Sequence, residues 1–382
     1  MQKLEIHAVA AAAVVLGISA AFLDWFSLNP NRLVSGQGLG FFESLGLVLG
    51  TLLLGSWVVI LSIAAIRKSW SKYAYPVLFF VVLFEVIGGS GLAATRHLSG
   101  AGVLSRVSLS GGFWLSLLAV YLLYFVSTRK GHPFSSLVTM LGPLAVLAIL
   151  ASGWCDGLSV IVEFNAQRTR FVAELWRHLS IFGVSLAAAT VIGIPLGIWI
   201  SKGSKAARPI LWFLGIVETV PSLALFGLLL VTLAAIRDLL PALGISAIGF
   251  LPAVIAITLY ALLPIVQNTY TGIRSVANEI CDAGFGVGMS RFQLLSNVEL
   301  PLAAPAIVSG LRIAAIQAVG GTTVAALIGA GGLGFFILQG LGQAASDLIL
   351  LGALSVTIMA LVVNAFFQFI EDRLSPGQVA AA

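Results

Sequence analysis

The chain has 382 residues, 59% of them hydrophobic and 9% charged, with a mean hydropathy of +1.07. That composition excludes a soluble enzyme built around one large core and describes a polytopic membrane protein. The net charge of +5 therefore bears on which loops face which side of a bilayer, and no nucleic-acid partner is implied.

Runs long enough to cross about 30 Å of hydrocarbon are predicted near His7 to Leu23, Leu45 to Ile66, Tyr75 to Leu92, Gly112 to Ser127 and Phe134 to Ala151. A polar interval follows from Cys155 to His178. Further runs cover Leu179 to Ile200, Ile210 to Ala235, Phe250 to Tyr270, Pro301 to Ile328 and Asp347 to Ile370, which makes ten crossings in an all-α membrane fold. Lys3 precedes the first run, but no clean small-residue cleavage site follows before Asp24-Trp25, so the run reads as a retained anchor.

Basic residues set the orientation, because cytoplasmic loops collect Lys and Arg. With the N-terminus inside, the cytoplasmic segments hold twelve of the 20 Lys and Arg, including all the lysines: Lys3, Lys68, Lys72, Lys130, Lys202 and Lys205. Arg67 and Arg129 lie beside them, whereas the outer segments hold seven arginines. Both termini are then cytoplasmic. Trp25, Trp70, Trp114, Trp154, Trp176, Trp199 and Trp212 fall near span ends, as interfacial anchors do. Cys155 and Cys281 fall at opposite ends of spans, so no disulfide is expected, and no metal-ligand spacing, cofactor motif or catalytic constellation is present.

Arg274 to Pro305 is the long polar segment of the C-terminal two thirds. A short helix is expected to end at a break containing Gly284, Gly286 and Gly288, where positive φ costs little. Ser290 with Gln293 three residues later forms a capping box for a second helix, and Pro301 suits the first turn of the next crossing. On its physics alone the segment is equally an ordinary polar loop ahead of a proline-started helix. Its spacing adds more: Asp282-Ala283-Gly284, three residues, Gly288, nine residues, then Val298-Glu299-Leu300-Pro301. This resembles the EAA loop of ABC importer permeases, with Asp for Glu at 282 and Gly for Ala at 284. The resemblance implies that Glu279, Asp282, Ala283, Gly284, Gly288, Ser290, Leu300 and Pro301, within a loop spanning 274–300, couple the chain to a cytoplasmic ATPase.

Four further strings narrow the resemblance: Thr219-Val220-Pro221-Ser222-Leu223-Ala224-Leu225, Leu259-Tyr260-Ala261-Leu262-Leu263-Pro264, Asn268-Thr269-Tyr270-Thr271-Gly272 and Ile328-Gly329-Ala330-Gly331-Gly332-Leu333-Gly334. They look like permeases of the osmoprotectant branch, which import glycine betaine, choline and similar quaternary amines; a hydrophobic extension of this length before the core resembles the YehY type. The resemblance implies a type I ABC importer permease core of five helices over 179–373 and an accessory block of about five helices over 1–154. It also implies a periplasmic connecting segment over 155–178 and a tail over 374–382. Implied partners are cytoplasmic ABC ATPase subunits, a periplasmic or extracellular substrate-binding protein, a second permease subunit and membrane lipid, in a bacterial inner membrane.

The competing readings are a self-powered secondary transporter or channel, and an importer of the same fold for another small solute. A nucleotide-binding Gly-Lys-Ser/Thr loop is missing, since none of the lysines follows a glycine, so the chain is not expected to hydrolyse ATP itself. For a translocation path, Pro221 and Pro264 each interrupt a predicted span and free backbone carbonyls; Glu218, Thr219, Ser222 and Tyr260 flank them. A pair of packed kinks would give the same signal. Ionisable groups at membrane depth are costly and hence functional candidates: Glu218 at the Pro221 break, Arg312 with carbonyls or Glu218 as partner, and Glu85 in the first block. Gly329 to Gly334 reads as a re-entrant turn.

Overall fold

Hydrocarbon offers backbone amides no water to bond, so a chain this apolar satisfies them within helices. The computed structural model describes residues 2–32, 34, 36–66, 71–128 and 134–374. Among them, eight helices are long and apolar enough to span a membrane: Phe41–Ile66, Tyr73–Ser99, Gly111–Thr128, Arg168–Ser201, Ser222–Leu239, Phe250–Arg274, Arg291–Ile328 and Ser346–Leu374. Two shorter apolar helices, His7–Phe22 and Ser135–Ala151, complete the set that the hydropathy pattern predicts. Arg67, Lys68, Trp70, Arg129, Lys130 and the tail from 375 lie outside the described residues.

The chain divides into two units. The first comprises Met1–Ala166 together with Gln343–Asp347. Its helices are α1 (Gln2–Ser19), α2 (Phe41–Ile66), α3 (Ser71–Leu83), α4 (Gly89–Ser99), α5 (Gly111–Thr128), α6 (Ser135–Ala151) and α7 (Ser159–Ala166). A five-residue π-turn, Phe84–Gly88, joins α3 to α4. Here α1 packs on α5 and α2, and Gly17 admits the Trp57 ring: a Cβ there would lie 2.3 Å from Trp57 Cε2.

Three short strands depart from the all-helical expectation: β1 (Phe26–Asn29), β2 (Gln37–Leu39) and β3 (Arg106–Leu109) form an antiparallel sheet in the order β2-β1-β3. Phe26 pairs with Leu39 on one side and Leu109 on the other. Strands this short, lying between long apolar runs, leave little periodicity to read. Beside the sheet, Asp347 is buried and accepts hydrogen bonds from Ser108 Oγ at 2.7 Å and Ser159 Oγ at 2.6 Å. Trp25, expected as an interfacial anchor, is instead a core residue; it is fully buried, donates to Ser90 Oγ at 2.9 Å and meets Phe41 and Phe113 edge-on. By contrast Trp176, Trp199 and Trp212 are exposed.

The second unit comprises Gln167–Gly342 and Leu348–Ala382. It contains α8 (Arg168–Ser201), α9 (Ala207–Thr219), α10 (Ser222–Leu239), α11 (Phe250–Arg274), α12 (Asn278–Gly286), α13 (Arg291–Leu294), α14 (Leu300–Ala325), α15 (Gly334–Gly342) and most of α16 (Ser346–Leu374). Helix α8 begins eleven residues before the crossing predicted from Leu179, because the polar interval is itself helical. The centre is made by α8, α11 and α14, whose buried faces are rich in alanine and glycine, including Ala189, Ala261, Ala314 and Ala318. Between helices in lipid, association comes from close packing, and small residues permit it.

Gly197 lies at a close approach of α8 to α11. A Cβ built there would sit 2.6 Å from Thr269 Cβ and 2.9 Å from the Val266 carbonyl oxygen. Gly183, on the same helix, has open space around its Cβ position. Gly197→Ala is therefore expected to lower unfolding stability in detergent by about 1–3 kcal/mol, whereas Gly183→Ala leaves it unchanged or slightly raised; equal midpoints for the two would refute the packing account.

Candidate functional site

Three features of the second unit concentrate the polar and irregular groups that the sequence singles out. The first is the loop after α11. Helix α12 ends at Gly286, and Gly288 takes φ +87° to turn the chain. Of the three glycines expected to break the helix, only Gly288 uses positive φ; Gly284 lies inside α12 and Gly286 ends it. Gly284 is a packing glycine, since a methyl there would lie 2.6 Å from Leu294 Cδ1. Glycine in place of alanine at 284 thus lets α12 close on α13.

The capping box is formed on both sides: Ser290 Oγ accepts from the Gln293 amide at 3.3 Å, and Gln293 Oε1 accepts from the Ser290 amide at 2.8 Å. The crossing expected to start at Pro301 starts earlier. Helix α13 continues through a π-turn, Leu295–Glu299, into α14, so the helix runs unbroken from Arg291 to Ile328. A proline ring clashes with the carbonyl four residues before it, and the wider turn directly ahead of Leu300-Pro301 relieves that clash while Leu300 N–H still reaches the Leu295 carbonyl.

The loop's outer side is apolar as well as acidic. Glu279, Asp282 and Ala283 are exposed, and so are Ile280, Phe285, Val287 and Phe292, the last two at 76%. Its inner side holds a contact that the sequence did not reveal: Glu299, only 7% exposed, is ion-paired with Lys202 at the end of α8. Cys281 Sγ of α12 lies 4.0 Å from Glu299 Oε1. Burial and the Glu299 carboxylate push the Cys281 thiol pKa up.

The second feature is the break at Val220-Pro221, which divides the predicted crossing from Ile210 to Ala235 into α9 and α10. Both residues are extended, with ψ of 128° and 135°. Tyr260 of α11 answers the break: its hydroxyl donates to the Val220 carbonyl at 2.7 Å. Ser222 opens α10, and Thr219 Oγ1 donates back to the Ile216 carbonyl at 2.7 Å. Glu218 is exposed and accepts from Gln317 Nε2 of α14 at 3.0 Å. Arg312 does not meet Glu218; its partner is Glu371 at 3.3 Å. Glu218, Thr219, Pro221, Ser222 and Tyr260 therefore gather at one break.

Pro264 does not interrupt its span, contrary to the sequence expectation. Helix α11 runs through it from Phe250 to Arg274, and Pro264 is buried. Asn268 Nδ2 donates to the Pro264 carbonyl at 2.8 Å, and Gly310 of α14 approaches so closely that a Cβ there would lie 2.7 Å from that same carbonyl oxygen. Close packing against α14 keeps the helix continuous through a proline that has no N–H to donate.

The third feature is the glycine-rich turn, in which Gly329, Gly331 and Gly332 have φ of 75°, 77° and 91°. Its amides are received by α8: Gly332 N–H donates to Glu174 Oε2 at 2.7 Å and Leu333 N–H to His178 Nδ1 at 3.2 Å. Arg177 Nε donates to the Ala330 carbonyl at 2.8 Å, and Arg170 pairs with Glu174 at 2.7 Å. In sequence, the only sign of this clamp is an acid and a histidine four residues apart on what reads as a polar interval. Among the described residues no group of His, Cys, Asp and Glu is arranged to hold a metal.

Comparison with known proteins matches residues 189–379 to the model of the family described as "Binding-protein-dependent transport system inner membrane component". Residues 3–161 match the model of "ABC transporter permease YehY, N-terminal domain". Among similar proteins, the carnitine transport permease protein OpuCB of Listeria monocytogenes is 36% identical over 224 residues, 59% of this chain and 97% of that protein. The choline transport system permease protein OpuBB of Bacillus subtilis is 36% identical over 217 residues, 56% of this chain and 94% of that one. The osmoprotectant import permease protein OsmW of Salmonella typhimurium is 35% identical over 216 residues, covering 56% and 97%. Among solved structures, an inward-facing MetNI methionine ABC transporter aligns with a TM-score of 0.47 at 21% identity, over 53% of this chain and 95% of that chain.

Removing the Tyr260 hydroxyl strands the Val220 carbonyl at the helix break. Tyr260→Phe is expected to cost about 1 kcal/mol of unfolding stability in detergent, and an unchanged midpoint would show that the carbonyl has another donor.

Proposed function

Because the chain belongs to the family of binding-protein-dependent transport system inner membrane components, we propose that it is the membrane-spanning permease subunit of an ATP-driven importer of glycine betaine, choline, carnitine or related quaternary amines. The substrate class rests on the similar proteins, whose names give carnitine, choline and osmoprotectants. The coupling role rests on one observation above all: a capped helix-turn-helix that holds Ile280, Phe285, Val287 and Phe292 in the open beside Glu279 and Asp282. Apolar side chains presented so regularly on a polar loop fit the groove of a protein partner, and the partner proposed is a cytoplasmic ABC ATPase. A self-powered carrier would have no use for such a surface.

In this reading the chain is a transport subunit without an ATPase site of its own, placed in a bacterial inner membrane with both termini cytoplasmic. It works with an external substrate-binding protein and a second permease subunit, identical or paralogous. Residues 1–154 form the accessory membrane block and 179–373 the permease core, with 274–300 as the coupling loop. The path is assigned to the break at Val220-Pro221, where Glu218 offers the passing ammonium group a carboxylate. Irregular backbone at membrane depth is tolerated where protein or water receives it.

Two variants test this. At Gly288 the backbone has φ +87°, which a β-branched residue adopts only with strain. Gly288→Val is expected to insert and to leave ATPase subunits bound weakly or uncoupled, so that uptake into vesicles containing the complete transporter falls at least about tenfold, the equivalent of about 1.4 kcal/mol. Uptake at the wild-type rate with normal ATP use would overturn the docking assignment. Glu218→Gln keeps shape and most hydrogen bonding and deletes the charge. It is expected to slow choline more than glycine betaine, whose own carboxylate offsets its ammonium; equal slowing of both, or none, would leave Glu218 outside the path.

A further inference from the structure

The docking surface is on the outer side of the α12–α13 loop, yet motion there is useful only if it reaches the packed centre that α8, α11 and α14 form. Backbone continuity carries it into α14, since the helix is unbroken from Arg291 to Ile328. Nothing covalent carries it into α8, whose last residue, Ser201, is nearly a hundred positions away in sequence.

Glu299 fills that gap. It is the last residue of the π-turn, and π-turns recur at functional positions because the extra residue re-aims a side chain. Its side chain is 9% exposed, while that of its partner Lys202 is 43% exposed and caps the end of α8. Glu299 is buried, and Leu300, next to it in the chain, packs on an apolar cluster of Ile273, Ala303 and Ile307 with Ile194 and Ile198. A carboxylate so buried is strongly destabilised when its partner is removed, whereas Lys202, 43% exposed, keeps water if Glu299 is lost. Cys281, one residue before Asp282, meets the same carboxylate from α12. One side chain thus touches the docking helix, the base of α14 and the end of α8.

We propose that the Lys202–Glu299 ion pair is the strut through which movement of the docking loop is passed to α8, a reading that rests on the coupling role given above. Lys202 and Glu299 are positioning residues; neither lies on the exposed docking surface or at the Val220-Pro221 break.

The test uses the complete transporter in vesicles, with Lys202→Met, Glu299→Gln and the double exchange Lys202→Glu with Glu299→Lys. ATPase co-purification is measured first: if the unaltered transporter binds no ATPase, the docking reading itself fails and not the strut. With ATPase bound, each single variant is expected to lose about tenfold in substrate moved per ATP, a change of the size of a typical coupling free energy. The exchange is expected to recover most of that loss. Single variants that transport per ATP as the wild type does would overturn the proposal, as would an exchange no better than the worse single variant.

A second readout needs no transport and remains if the exchange fails to assemble. Lys202 pulls the Cys281 thiol pKa down against the upward effects of burial and Glu299. By electrostatics alone, Lys202→Met should therefore slow maleimide labelling of Cys281. Loss of a strut loosens α12 instead and should speed labelling severalfold. Cys155 does not interfere, because it is buried and its thiol is pushed up to about 11 by burial and by Asp156. Faster labelling supports the strut, and slower or unchanged labelling overturns it.

Discussion

Three irregular points of the second unit answer one constraint: a backbone group that leaves the helical ladder inside a membrane protein needs a partner supplied by the protein. At Val220-Pro221 the partner is the Tyr260 hydroxyl. At the glycine-rich turn the partners are Glu174 and His178, two residues one helical turn apart that receive consecutive amides. At Pro264 the helix continues although the proline has no N–H to donate, with Asn268 bonded to the proline's carbonyl and Gly310 packed closely on it. The three solutions differ in outcome. A hydroxyl reaching across from another helix leaves a real break, a pair of side chains fixes a re-entrant turn, and close packing suppresses a break altogether.

This explains which parts of the fold were legible in the sequence. Spans were legible because hydropathy over some twenty residues is a summed property, insensitive to any one contact. The loop was legible because a capping box and a positive-φ glycine act within a few residues of themselves, as Ser290, Gln293 and Gly288 do. Pro221 and Pro264 carry the same local signal, and what separates them is tertiary: only α11 has a glycine of another helix packed on its proline. Trp25 departs from the expected anchor for the same reason, since a tryptophan near a span end is an anchor or a core residue according to whether a partner such as Ser90 lies within reach.

The pairings that escaped the sequence are all long-range and polar. Glu299 and Lys202 are separated by 97 residues, and Gly332 and Glu174 by 158. Nothing in composition or periodicity connects such positions. What the sequence did offer was each residue alone: a glutamate directly before Leu300-Pro301 at the end of a polar segment, and an acid and a histidine at helical spacing just before a crossing. Charges that remain near membrane depth are costly unless paired, so each of them implied a partner without identifying it.

The same economy sets how force can travel through the core. A loop that turned on three flexible glycines would absorb a push, because glycine backbones move at little cost. Here only Gly288 turns the chain; Gly284 is committed to packing on Leu294, and the capping box fixes the start of α13. The helix then continues through the π-turn to Ile328, and an unbroken helix transmits displacement along its axis with little loss. Stiffness therefore begins immediately after the turn. In the proposed coupling, a push on the exposed side chains of α12 pivots at Gly288 and enters α14 as a whole, and Glu299, buried at the base of α14, is the point where that motion divides between two helices.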